Sequence, residues 1–138
     1  MADQDDMKTL DAFVADWEES ENNCKTAFLR LKSHLCEKEG VMLNFISRPG
    51  VSYSLRARHP EQQTRPVFVL VDVIEDDPRW LSVCFYGDMI SDPDEIGDLV
   101  PGGLLGEDGY CFDVEALEEA LLEYILRRLD EAWEKAAE

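Results

Sequence analysis

The sequence predicts an α+β fold of order α-β-β-β-β-α: a four-stranded antiparallel meander with a long N-terminal helix and a C-terminal helix packed on one face. Three observations predict it. An apolar stripe of helical period precedes residue 40, four strand-like runs joined by short turns occupy residues 41–86, and a second helical stripe follows residue 114. At 138 residues the chain reads as one domain, 1–138, with a single core.

The first stripe is Met7, Leu10, Val14, Trp17, Glu21, Cys24, Phe28, Leu31 and Leu35, at alternating spacings of three and four. Only Glu21 breaks its apolar character. The pattern suits one long helix lying on its own sheet, ended by Gly40; residues 20–23 are where it would kink or split, because Ser and Asn compete for backbone bonds. Read alternatively as a heptad seam, it makes the chain a homodimer through this helix rather than a monomer.

Strands are expected at Val41–Ser47, Val51–Arg58, Val67–Ile74 and Arg79–Tyr86. Arg48-Pro49-Gly50 reads as a hairpin turn. In the second strand Val51, Tyr53, Leu55 and Ala57 alternate with Ser52, Ser54, Arg56 and Arg58, which predicts one wet face. The third is apolar on both faces except at Asp72, so it is expected to be central. The last helix is expected from Val114 with Asp113 as its N-cap, and with Leu117, Leu121, Ile125, Leu129, Ala132 and Ala136 facing inward.

Composition narrows the function. The formal charge is −18, from 31 acidic and 13 basic residues. Residues 41–86 are neutral, and residues 87–113 hold eight acidic groups with no Lys or Arg. Nucleic acid and anionic membranes call for a basic surface, so neither is an expected partner. No apolar run is long enough for a membrane span. The N-terminus, acidic and polar, lacks the features of a signal peptide, so a cytoplasmic location is expected. Cys24, Cys36, Cys84 and Cys111 show no CxxC pair and read as reduced, mostly buried thiols.

Residues 87–113 carry most of the functional information. They hold six of the eight glycines and read as a long acidic loop. Met89, Ile90, Ile96, Leu99, Val100, Leu104, Leu105, Tyr110 and Phe112 give this loop much to bury. Asp92, Asp94, Gly97 and Asp98 match part of a calcium loop, but Ile96 and Gly103 stand where ligands belong. No phosphate-cradling glycine motif, zinc spacing or nucleophile–base pair is present, so no catalytic residue, metal or cofactor is assigned.

The leading reading is a non-enzymatic adaptor that binds a protein with a basic patch. Its candidate surface is Asp88, Asp92, Asp94, Glu95 and Asp98 with Trp80, Tyr86 and Tyr110. Arg56 and Arg58 are a second candidate. Either the acidic loop folds back to pair with them, or they bind an anion in a loop-covered ligand or enzyme site, with or without a divalent cation. A third reading is an acidic mimic of nucleic acid.

Overall fold

The computed structural model describes the backbone of residues 4–138 and side chains from Asp5 onward. The first three residues, part of the acidic N-terminus behind the signal-peptide expectation, lie outside it. Three helices and six strands follow in the order α1 (Gln4–Asp16), α2 (Cys24–Cys36), β1 (Met42–Arg48), β2 (Ser52–Arg58), β3 (Val69–Ile74), β4 (Trp80–Tyr86), β5 (Asp98–Leu104), β6 (Glu107–Val114) and α3 (Glu119–Ala136). The α+β class and the antiparallel sheet agree with the sequence; the strand number does not. The sheet has six strands, ordered β1-β2-β3-β4-β6-β5, every neighbouring pair antiparallel.

Register explains which face is buried. Phe45, Leu55, Val71, Val83 and Phe112 lie opposite one another across β1, β2, β3, β4 and β6. All five are buried. The helices cover this face. Phe13 of α1 stacks on Tyr53 at 4.4 Å, and Tyr124 of α3 lies 6.0 Å from Phe112. Phe28 of α2 closes against Trp17 and Phe13. Each fully buried Phe or Leu here contributes roughly 1.5–3 kcal/mol by leaving water.

One residue further along each strand lies the row Asn44, Arg56, Leu70, Cys84, Cys111 and Asp98, which crosses all six strands on the opposite, helix-free face. Strand period of two puts these side chains opposite the core. Arg56 therefore stands near one end of the sheet and Asp98 at the other.

The long N-terminal helix expected from the stripe is two helices, divided across a break that includes residues 20–23, where a kink or split was expected. Asn23 adopts φ 58°, a left-handed conformation that Asn tolerates. The Asn22 side chain accepts from the Cys24 N–H at 3.1 Å and donates to the Arg79 carbonyl at 2.8 Å. Its own carbonyl accepts from the Leu117 N–H. Glu19 accepts from the N–H groups of Lys25 and Thr26, satisfying the open start of α2. The stripe persists across the break because both helices bury the same side. Leu10, Trp17, Cys24, Phe28, Leu31 and Leu35 are spent on the chain's own core.

Two further expectations change. Asp113 is not a helix cap: β6 runs to Val114, and α3 begins at Glu119. Cys84 and Cys111 are not free thiols but a disulfide between directly opposed residues of β4 and β6, Cα atoms 4.1 Å apart. Cys24 is free and buried, with its thiol pushed up to about 11 by burial and by Glu19; Cys36 is free and exposed.

At the β1 edge of the sheet, Asp6 of α1 accepts from the Phe45 N–H at 3.0 Å and from the Asn44 amide at 3.1 Å.

Candidate functional site

Residues 87–113 are not one long loop. Residues 98–114 form a hairpin that extends the sheet, and only residues 87–97 are irregular. The hairpin turns at Leu105 and Gly106, with φ 51° and φ 89°. Positive φ at both central residues of a two-residue loop matches the right-handed twist of the strands it joins. Leu104 pairs with Glu107 on either side.

The irregular segment is tied down from α3. Tyr124 donates its hydroxyl hydrogen to Asp92 Oδ1, and the Asp94 N–H donates back to the Tyr124 oxygen at 3.2 Å. Asp92 also accepts from the N–H groups of Ile96 at 3.1 Å and Gly97 at 2.9 Å. Burial pushes its carboxyl up, and these donors more than offset that, leaving it below the ordinary value. Gly97 is needed here. A Cβ at this position would meet the Phe112 ring at 2.9 Å and Asp92 at 3.3 Å. Ser91 Oγ donates to Glu131 at 2.7 Å, a second tie to α3.

A cleft results on either side of Tyr110 and Leu99. One cavity, about 420 Å³, is lined by Arg65, Gly87, Asp88, Leu99, Glu107, Asp108 and Tyr110. The other, about 490 Å³, is lined by Gly87, Ile90, Asp92, Glu95, Gly97, Leu99 and Tyr110. Both share an apolar floor at Leu99 and Tyr110 under a rim of carboxylates. Arg65 is the cation of the first. It pairs with Asp88 at 2.6 Å and Glu107 at 2.8 Å and lies 4.2 Å over the Tyr86 ring. These hydrogen bonds hold the Asp88 carboxyl below its usual range. Asp108 accepts from the Gly102 N–H at 3.0 Å.

The candidate residues therefore divide. Asp88, Asp92, Glu95 and Tyr110 meet in the cleft. Asp94 sits beside them at the exposed surface, while Tyr86 is buried beneath Arg65. Asp98 projects on the helix-free face, where burial, then Asp98 and Glu115, raise the Asp113 carboxyl. Trp80 is elsewhere, donating its indole N–H to Asp76 at 3.1 Å.

Arg56 and Arg58 take no part in the cleft. Arg56 donates to Ser54 and Arg58 to the Gln62 carbonyl. The acidic segment does not fold back onto either. β2 and β5 are four positions apart in the sheet, on the order of 19 Å. Arg65 supplies the internal pairing instead; its place in a polar linker gave no periodic signal.

The apolar residues of the segment also differ from expectation. Met89 and Leu104 are buried, but Ile96 is 42% exposed, Leu99 53%, Val100 37% and Leu105 51%. Among the described residues, no group of three His, Cys, Asp or Glu side chains is placed to hold a metal ion, and no helix is long and apolar enough to cross a membrane. The oxygens of Asp92, first position of the partial calcium-loop spacing, face backbone N–H groups and the Tyr124 hydroxyl.

No family model, curated protein or solved structure matches this chain.

Proposed function

We propose that the chain is a non-enzymatic protein-binding module whose contact surface is the β5–β6 hairpin with residues 87–97, and whose partner presents a basic patch. One observation carries this reading. Of the five large hydrophobic residues that are exposed among the described residues, four stand on this segment, the same one that holds eight carboxylates and no Lys or Arg. Exposed apolar groups supply affinity when covered. The surrounding charge selects the partner and speeds encounter.

Arg65 compensates two of the carboxylates, Asp88 and Glu107. Among the described residues no ion pair engages Asp94, Glu95 or Asp98, so these stand open to a basic partner. No observation favours a ligand site at Arg56 and Arg58. As for location, the expected reduced cysteines supported a cytosolic reading, and a Cys84–Cys111 disulfide weighs toward an oxidising compartment.

The test compares wild type with a variant carrying Asp94→Asn, Glu95→Gln and Asp98→Asn, both used to capture partners from native lysate. These three side chains lie outside the Asp92–Tyr124 tie, so the hairpin stays in place. A partner held by wild type, lost by the variant and released by added salt supports the reading. Equal capture by both proteins, insensitive to salt, refutes it.

A further inference from the structure

We propose that the outer edge of β5 takes up a short, extended, basic segment of the partner as a seventh strand, centred on Leu99. This deepens the binding reading above and rests on it.

Backbone direction follows from register. In an antiparallel pair, closely spaced Cα atoms mark a pair that exchanges no backbone hydrogen bonds. Cys84 and Cys111 are such a pair, at 4.1 Å. The Gly87 N–H bonded to the Asp108 carbonyl at 3.1 Å fits the same alternation. Cys111 therefore turns its N–H and C=O toward β5, where Asp98 faces it. Leu99, one residue on, turns its own away from β6 and out of the sheet.

The neighbouring outward positions are closed to a donor role. The Gly97 N–H is taken by Asp92 at 2.9 Å, and Pro101 has no N–H. Leu99 is thus the one position of these three that offers both an N–H and a C=O. A partner strand can exchange two hydrogen bonds there and is held in a single register. Its residue opposite Leu99 shares the face of Leu99 and Tyr110 and enters the cavity lined by Ile90, Asp92 and Glu95. The next residues along the partner project on the other face, one of them beside Asp98.

Charge decides the occupant. Both faces of this edge carry carboxylates, and residues 87–113 hold no Lys or Arg. A second copy of this chain would bring like charge to like charge. A segment alternating apolar and basic residues matches instead, its apolar side chains on Leu99 and its basic ones toward Asp98.

The probe is a short alternating Lys–Val peptide, beside two controls: the same composition scrambled, and the alternating peptide with every second backbone amide N-methylated. Binding to the full chain is followed by titration, and the Leu99 amide by hydrogen exchange. Strand addition predicts that the alternating peptide protects the Leu99 amide, and that N-methylation in the matching register weakens binding at least about tenfold, the cost of roughly one lost hydrogen bond to a backbone partner. Equal binding of all three peptides without Leu99 protection overturns strand addition but leaves charge-driven binding standing. No binding of any peptide at low salt overturns both.

Discussion

Tyr124→Phe tests the tie that positions the cleft. The substitution removes one hydroxyl and almost no volume. It takes away a hydrogen bond donated to the Asp92 carboxylate and leaves the Asp94 N–H without its acceptor. A hydrogen bond to a charged group contributes about 1.5–3 kcal/mol and a neutral one about 0.5–1.5 kcal/mol. Asp92 is half-buried, so water replaces part of the loss, and the expected cost is about 2 kcal/mol. Its pH dependence is more diagnostic. The Asp92 carboxyl is depressed in the folded chain, so its contribution is fully present above the unfolded aspartate value of about 3.9 and is lost as pH falls through the folded value. Urea unfolding, followed by tryptophan emission at several pH values, reads the gap between wild type and variant. It should be constant from neutral pH down to about pH 5 and narrow only in acid. A gap below ~0.5 kcal/mol, or one that changes between neutrality and pH 5, refutes the reasoning.

Leu105→Asn should raise stability by about 1 kcal/mol, seen as a higher Tm, because Leu105 holds φ 51° in a tight turn while half exposed, and Asn adopts that conformation at lower cost. Arg79→Ala should lower stability by about 2 kcal/mol in the same urea assay. Its guanidinium lies 5.0 Å over Phe13 and 5.1 Å over Tyr53 while pairing with Glu75 at 2.8 Å, so it joins α1 to the start of β4. Thiol titration of the denatured chain should count two free cysteines without reductant and four with it. The disulfide spans 27 residues of sequence, and opening it should cost up to about 3.5 kcal/mol by loop-closure entropy.

The first four strands were legible from the clean alternation at Ser52–Arg58, the apolar run at Val69–Ile74 and the turn residues between strands. β5 was not. Pro101, Gly102 and Gly103 are residues that argue against a strand, and an edge position tolerates them because the second partner is missing. β6 did carry a signal, Tyr110, Phe112 and Val114 alternating with Cys111 and Asp113. Most of it lay at the end of the glycine-rich acidic stretch 87–113, whose composition reads as loop, and Val114 counted as the start of the last helix. Residues 20–23 marked where the first helix could break, but not that it does, because both halves bury the same side and the stripe keeps its period while the backbone turns. At the site, sequence found the carboxylates and Tyr110 but not their arrangement. Composition showed the excess charge; only the strand order shows that Arg65, and not Arg56 or Arg58, reaches it.

At each outer margin of the sheet an outward N–H is held by an aspartate: Phe45 of β1 by Asp6, and Gly97, just before β5, by Asp92. Each bond keeps a backbone donor at the sheet margin from offering itself to another chain. The sequence pI is about 4.3, and near that pH the mutual repulsion between molecules vanishes. With charge no longer holding molecules apart there, these two side-chain guards are what stands against edge-to-edge stacking into insoluble fibres.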